Sequence, residues 1–125
     1  MNFSNSVRTT LELSYGDEVR DLRITFDLID RVRGYIAWEQ LAIELGKENP
    51  VPNLTMMAKF VFLNLREAGF SPDIDKIYNE MFASEEGKQA YITLVSQIIL
   101  AYQPSGSSKK KTLTDVTAAK QSSAA

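Results

Sequence analysis

The chain of 125 residues has no cysteine and no histidine, and it has a single tryptophan. Without cysteine there are no disulfides, no thiolate nucleophiles and no Cys-ligated metals. Without histidine, the chain lacks the residue used by most zinc sites, most general bases and nearly all catalytic triads. We therefore expect a protein that is not an enzyme and that needs no metal or cofactor.

Long hydrophobic runs and glycine-rich loops are also missing. No segment approaches the ~20 apolar residues of a membrane span. The six glycines are scattered singly, which excludes a glycine-rich phosphate-binding loop. Residues 1–6 lack the basic start and apolar stretch of a signal peptide. These absences predict a cytoplasmic protein without membrane contact.

Charge is distributed unevenly along the chain. Residues 1–103 carry 10 Lys and Arg against 15 Asp and Glu, and residues 104–125 carry four Lys against one Asp. The first part is therefore acidic, which makes it a poor nucleic-acid binder. The basic run Lys109–Lys111 is too short for more than weak phosphate contact, and we interpret it as solvated linker.

Two segments near the start alternate apolar and polar side chains, which is typical of half-buried β-strands. Their apolar residues are Leu11, Leu13 and Tyr15 in the first segment and Leu22, Ile24 and Phe26 in the second. The residues between them include Gly16-Asp17-Glu18, which has the composition of a turn. The pattern predicts an antiparallel hairpin whose apolar face must pack on the rest of the domain.

Helical signals follow the hairpin. Asp27 is the expected N-cap of a short helix that ends at Gly34. A second helix runs from about Ala37 to Leu45, and Gly46 terminates it. Further along, Ser71 is the expected cap of a fourth helix with Pro72 in its first turn, and Ser84 caps a fifth that Pro104 stops. The carboxylate pairs in this region are better explained by helix starts than by acid–base catalysis. They are Asp27/Asp30, Asp73/Asp75 and Glu85/Glu86.

The third helix, residues 53–68, is apolar around most of its circumference and ends at Gly69. A surface helix needs an apolar arc of little more than about 100°. The polar stripe of this helix is narrow, and Phe62 sits in its middle. The helix is therefore either a buried central helix or one that keeps apolar surface for a partner.

Together these elements predict an α+β domain, with an N-terminal β-hairpin packed on a small bundle of about five helices. We expect residues 1–8 to be a flexible N-terminus and residues 9–103 to be the single domain. Residues 104–125 are rich in Ser, Thr, Lys and Ala, which predicts a disordered C-terminal tail.

The order of elements resembles the tail assembly chaperones of long-tailed bacteriophages and related prophages. The resemblance covers roughly residues 20–83. Its motifs are the strand 22–27 that runs into a short helix, the helix from Trp38 to Leu45, a proline-containing loop, the segment Leu54–Phe62 and the closing Leu65-Arg66-Glu67-Ala68-Gly69.

The resemblance implies a non-enzymatic holdase that binds the tape-measure protein and tail-tube subunits during tail morphogenesis. It also implies action in the host cytoplasm, absence from the mature virion and possible self-association. An alternative from another class is a structural virion component, such as a minor tail or head–tail connector protein. A helical DNA-binding regulator is a weaker alternative, because no predicted helix is basic enough for recognition.

A holdase must bind apolar segments without demanding one sequence, which suits methionine and aromatic side chains. The candidate partner-binding residues are Phe62, Met56, Phe60, Tyr35 and Met81. We expect Leu54, Met57, Val61 and Leu65 to be core. For Trp38 a core position is the favoured prediction and a binding hot spot is the alternative.

Overall fold

A computed structural model describes residues 7–103, and within that range it confirms the predicted α+β fold. A two-stranded antiparallel hairpin precedes five helices. The elements are β1 (Val7–Tyr15), β2 (Glu18–Thr25), α1 (Phe26–Tyr35), α2 (Trp38–Leu45), α3 (Leu54–Glu67), α4 (Ile74–Ala83) and α5 (Glu85–Tyr102). The predictions made for residues 1–6 and for the tail 104–125 lie outside the described residues.

The hairpin has one buried and one solvent-facing side. On the inner side the half-buried Leu11 pairs with the buried Leu22. Leu13 and Ile24 are buried on the same side. Gly16 opens the turn with a positive φ of 61°. A glycine with positive φ at the first central position is what a type II′ hairpin turn requires, and this turn matches the natural twist of paired strands.

Strand β1 begins at Val7, two residues before the predicted start of the domain. The physical reason is Arg8, whose guanidinium reaches the end of α5. Its Nη1 donates to the carbonyl oxygen of Tyr102 at 3.1 Å, and its Nη2 donates to that of Gln103 at 2.8 Å. These two bonds satisfy carbonyls at a helix C-terminus and join the two ends of the described chain.

Helix α1 begins at Phe26, two residues earlier than predicted, and ends at Tyr35, one residue beyond the predicted end at Gly34. Thr25, not Asp27, is the N-cap, because its hydroxyl accepts a hydrogen bond from the amide of Leu28 at 3.0 Å. Asp27 instead lies in the first turn, where its charge is favourable to the helix dipole. Gly34 does not end the helix, which continues to Tyr35.

A similar correction applies to α4. Ser71 was the expected cap, but Asp73 caps the helix, because its Oδ1 accepts from the amides of Asp75 and Lys76. The amide of Asp73 itself donates to the Tyr15 hydroxyl at 3.0 Å, which ties this corner to the hairpin. Pro72 therefore precedes the helix instead of lying in its first turn.

The remaining helix starts agree with the sequence more closely. Asn53 caps α3 by accepting from the amide of Met56, and Ser84 caps α5 by accepting from the amide of Gly87. Gly87 also allows the start of α5 to lie close to α4, because a Cβ there would overlap the carbonyl oxygen of Glu80.

The core lies between the inner face of the hairpin and helices α3 and α5. Helix α3 is central, since it contacts β2 and each of the other four helices. Trp38 is buried, which confirms the favoured prediction of a core position. Of the four positions on α3 expected to be core, Met57, Val61 and Leu65 are buried and Leu54 is half-buried. Within residues 7–103, none of the helices combines the length and apolarity that crossing a membrane requires.

Candidate functional site: a polar and aromatic stripe on the central helix

The central helix α3 has two sides with different surroundings. One side is buried by the hairpin and the other helices, and it consists of Met57, Ala58, Phe60, Val61, Asn64 and Leu65. The opposite side reaches solvent along a line of four residues that we call the α3 stripe: Thr55, Lys59, Phe62 and Arg66. The wide apolar arc of the sequence is thus mostly core, and the stripe is the part left for other uses.

Phe60, a predicted partner-binding residue, belongs to the buried side. Its side chain is fully buried, and its ring stands edge-on to the ring of Tyr102 with 5.6 Å between centroids. The Trp38 ring meets the other part of Tyr102 at 5.1 Å and an interplanar angle of 90°. Phe60 is therefore a core residue in this fold and offers no surface to a partner.

Asn64 is the one buried polar side chain among the described residues, and sequence reasoning missed it. Its Nδ2 donates to the carbonyl oxygen of Phe60 at 2.8 Å, and its Oδ1 accepts from the Tyr102 hydroxyl. Burial raises the pKa of the Tyr102 phenol, so the hydroxyl stays protonated and remains a donor. The sequence did indicate this role, because Asn64 is a polar residue on the side of α3 whose other positions are apolar core residues.

Phe62 lies in the middle of the α3 stripe and is half-buried. One part of it packs against the core, and the Arg66 guanidinium lies 5.3 Å from its ring centroid. Such cation–π contact is worth about 0.5–1 kcal/mol at an exposed site. Phe62 is therefore anchored to the core by part of its ring, and the rest of the ring lies between two cations, Lys59 and Arg66.

The two cations of the stripe lie outside the ion pairs of the described domain. In the part of the chain that the structure describes, several other basic side chains form ion pairs with carboxylates. These are Arg20, Arg31, Arg33, Lys47 and Lys88. No such pair within residues 7–103 involves Lys59 or Arg66. The stripe is thus locally positive on a domain that is acidic as a whole.

A shallow depression of about 300 Å³ adjoins the first half of the stripe. It lies between α3 and α4, and its floor contains the small side chain of Ala58. The walls are Thr55, Lys59, Ile74, Asp75 and Tyr78. Its size suits one apolar side chain from outside, with polar groups at the rim.

The other predicted partner-binding residues are not brought together with Phe62. Met81 and Ile77 are both buried on the inner side of α4. Met81 is therefore not part of the candidate surface either. Met56 is half-buried on α3 and packs against the core. Tyr35 ends α1 and is 73% exposed. Of the five, only Phe62 lies on the stripe.

Further apolar side chains are exposed beyond the stripe. Val51 and Ile43 are 82% and 68% exposed, and Phe82 is 61% exposed. Val51 lines a groove of about 470 Å³, between the loop that precedes α3 and the first half of α5. The surface therefore offers several apolar contact points and not a single deep pocket.

Five of the six paired carboxylates lie at helix starts, as predicted, whereas Asp30 lies beyond the first turn of α1. Asp73 is a cap, and Asp27, Asp75, Glu85 and Glu86 each lie in the first turn of a helix. A hydrogen bond from Gln89 is the main cause of the lowered pKa of Glu85. Within residues 7–103, acidic side chains nowhere gather in threes to form a metal-binding cluster.

Comparison of the chain with family models, with curated proteins and with solved structures finds no match. The function therefore has to be argued from the surface of the domain and from the resemblance of its element order.

Proposed function

We propose that this protein is a tail assembly chaperone of a long-tailed phage or prophage, which binds the tape-measure protein and tail-tube subunits during tail morphogenesis. The observation that supports the proposal is the α3 stripe, where Phe62 is only partly buried on the helix that organises the core. Part of Phe62 packs against the core, and the remaining part of the ring, with the Arg66 guanidinium 5.3 Å from its centroid, is the aromatic surface that a partner would cover.

The proposed mechanism is reversible burial of apolar partner surface against the stripe and the depression beside it. Each contact is small, so a single site binds weakly. Many copies along one long tape-measure chain compensate through avidity, because each bound copy needs only modest affinity. Such a role requires binding surface and no catalytic residue, and we assign the protein no enzymatic activity and no cofactor.

The role sets where the protein acts and how it behaves alone. We assign it to the host cytoplasm during assembly and not to the mature virion. Without its partner, exposed apolar side chains such as Phe82, Ile43 and Val51 favour self-association and binding of the apolar dye ANS. A strictly monomeric chain that fails to bind ANS would count against this mechanism.

The test is an affinity pull-down with the tagged full chain, from an induced prophage lysate or an infected host, read by mass spectrometry. We expect recovery of a very long helical tape-measure protein or of tube subunits. Phe62→Asp is expected to abolish this recovery. The matched control is Val19→Asp, which places the same charge at a side chain 60% exposed on the hairpin.

The same experiment separates the alternative role. Recovery of mature head or connector proteins, together with stoichiometric amounts of the chain in purified particles, would indicate a structural virion component. In that case Phe62 would be an ordinary surface residue, and Phe62→Asp would leave the recovered proteins unchanged.

A further inference from the structure

Strand β2 has an edge along which the described domain places no other strand. Within residues 7–103 the sheet consists of β1 and β2 alone. Tyr15 and Glu18 close the two-residue turn, so this pair exchanges both of its backbone hydrogen bonds. Because such pairs alternate along an antiparallel ladder, the amides and carbonyls of Asp21 and Arg23 point away from β1. An extended backbone is the partner that matches this row of donors and acceptors.

Asp21 lies beside a charge of its own sign on the solvent-facing side of the hairpin. It is directly opposite Glu12 of β1, and both side chains are exposed. Directly opposite residues have Cβ atoms about 4.5–5.5 Å apart, so two carboxylates in this arrangement repel each other. Neither carboxylate belongs to an ion pair in the described part of the chain. A cation beside Asp21, along the open edge, would therefore be favourable.

Arg23, two residues further along the same edge, lacks a charged neighbour across the hairpin. It is exposed, it is directly opposite the uncharged Thr10, and it forms no ion pair within residues 7–103. A groove of about 450 Å³ adjoins this edge and separates Asp21 and Arg23 from Asp27 and Arg31 of α1. The edge thus has open space beside it, and its charges favour a strand with a cation opposite Asp21 and a carboxylate opposite Arg23.

Strand β2 itself has this pattern of charges. When two copies of β2 lie antiparallel about a two-fold axis at Leu22, Asp21 of each copy is directly opposite Arg23 of the other. The same register pairs the outward backbone groups of these residues. We propose that the protein forms a symmetric dimer through β2, in which two hairpins join into one four-stranded antiparallel sheet. The inference goes beyond the proposed function, because it concerns the hairpin and not the α3 stripe.

Strand β1 does not offer an equivalent edge. Its one basic residue is Arg8, whose guanidinium is bonded to two carbonyl oxygens at the end of α5. Without Arg8, a second copy of β1 has no cation to place opposite Glu12. The register shift between Val7 and Thr9 also interrupts the strand, and such irregularities disfavour edge-to-edge pairing. The symmetric contact is therefore assigned to β2.

The first experiment measures the oligomeric state of the full chain by analytical ultracentrifugation at low salt, over a wide concentration range. We expect a reversible monomer–dimer equilibrium that weakens as salt is raised. Asp21→Arg alone, or Arg23→Asp alone, creates two like-charge pairs in the dimer and should raise its Kd at least about tenfold. The double variant Asp21→Arg/Arg23→Asp restores opposite charges with an unchanged net charge, and its Kd should return close to that of the original chain.

The second experiment mixes the two single variants in equal amounts. The Asp21→Arg chain carries two cations on the edge and the Arg23→Asp chain carries two carboxylates, so we expect them to form a heterodimer although neither pairs well with itself. The matched control is Asp30→Arg, which changes the net charge as Asp21→Arg does, at an exposed position of α1. This control should dimerise like the original chain. Circular dichroism melts check that every variant folds.

Three results would overturn the inference: a chain that is monomeric at every concentration, a Kd that the single variants leave unchanged, or a mixture that forms no heterodimer. Association that persists in all variants and at high salt would also overturn it, and would assign self-association to the exposed apolar side chains. A monomeric chain whose pull-down recovery is lost on Asp21→Arg would assign the edge to an extended segment of another protein instead. Phe62→Asp should leave the dimer intact, so the dimer and the chaperone role fail independently.

Discussion

Phe60 and Phe62 are two positions apart on the same helix, yet they meet different surroundings. Phe60 is fully buried and touches the ring of Tyr102. Phe62 is half-buried and has the guanidinium of Arg66 over its ring. Two residues along a helix correspond to a rotation of about 200°, which places the two rings on opposite sides.

The comparison separates the side of α3 that builds the core from the side to which we assign partner binding as a proposal. The side that carries Phe60 completes the core and is fixed by aromatic contacts and by the Asn64–Tyr102 hydrogen bond. The side that carries Phe62 has only a cation–π contact and two cations without carboxylate partners among the described residues. Stability should therefore depend on the first side, and partner binding on the second.

The largest expected difference is between truncations of the two rings. Phe60→Ala leaves a cavity in the core and is expected to lower the free energy of unfolding by about 3–5 kcal/mol. Phe62→Ala removes a half-buried ring and is expected to cost about 1 kcal/mol. Urea denaturation of both variants measures this directly. Equal losses would contradict the two-sided description of α3.

The buried hydrogen bond sharpens the description of the core side. Asn64→Ala leaves the Tyr102 hydroxyl buried without its acceptor and is expected to cost about 1–3 kcal/mol in unfolding free energy. The matched variant Tyr102→Phe removes the donor instead. If the pair acts as a unit, the double variant Asn64→Ala/Tyr102→Phe loses less than the sum of the two single losses. Additive losses would show that the two groups are not coupled.

A pH titration tests the same side without a cavity. Burial raises the pKa of the Tyr102 phenol above its unfolded value of about 10, so the folded state keeps a proton that the unfolded state releases. The stabilisation is complete below pH ~10 and is lost above it, by up to about 1.4 kcal/mol per pH unit.

Urea denaturation at a series of alkaline pH values gives the slope. Tyr102→Phe should flatten it, whereas Tyr35→Phe, at an exposed position, serves as the control and should leave it unchanged. Tyr91 contributes to the slope as well, since desolvation and its bond to Glu80 also raise its pKa. A slope unaffected by Tyr102→Phe would contradict the assignment of a buried, protonated phenol.

The smallest expected effect on stability is at the stripe itself. Lys59→Glu/Arg66→Glu changes two exposed side chains and should lower the free energy of unfolding by less than about 1 kcal/mol. Most of this loss should come from Arg66, because a positive charge in the last turn of α3 interacts favourably with the helix dipole. Urea denaturation checks this value. A loss as large as that of Phe60→Ala would show that the stripe is part of the core.

Much of this fold could be predicted because its apolar side chains follow clear periods. The alternation in the two strands and the three-to-four spacing in the helices predicted the hairpin and the five helices. The caps were less certain, because neighbouring residues compete for the same position. Thr25 is the cap of α1 in place of Asp27, and Asp73 is the cap of α4 in place of Ser71. The hydroxyl of Tyr15 accepts a hydrogen bond from the amide of Asp73 at this second cap.

The candidate site was only partly predictable. The partial exposure of Phe62 followed from its place on the polar stripe of α3. Phe60 and Met81 were placed wrongly on the surface, since a wide apolar arc does not show which part of it other helices cover. The bond between Asn64 and Tyr102 joins residues 38 positions apart, and helical periods carry no information at that distance.

The central claim is that the Phe62 side of α3 touches the partner. The most direct measurement is in vivo photo-crosslinking, with a photoreactive phenylalanine analogue placed at Phe62 and, as a control, at Val19 on the outer side of the hairpin. The account predicts a crosslink from the first position to the tape-measure protein and none from the second. Crosslinks from Val19 alone, or from Phe62 only to mature head or connector proteins, would contradict it.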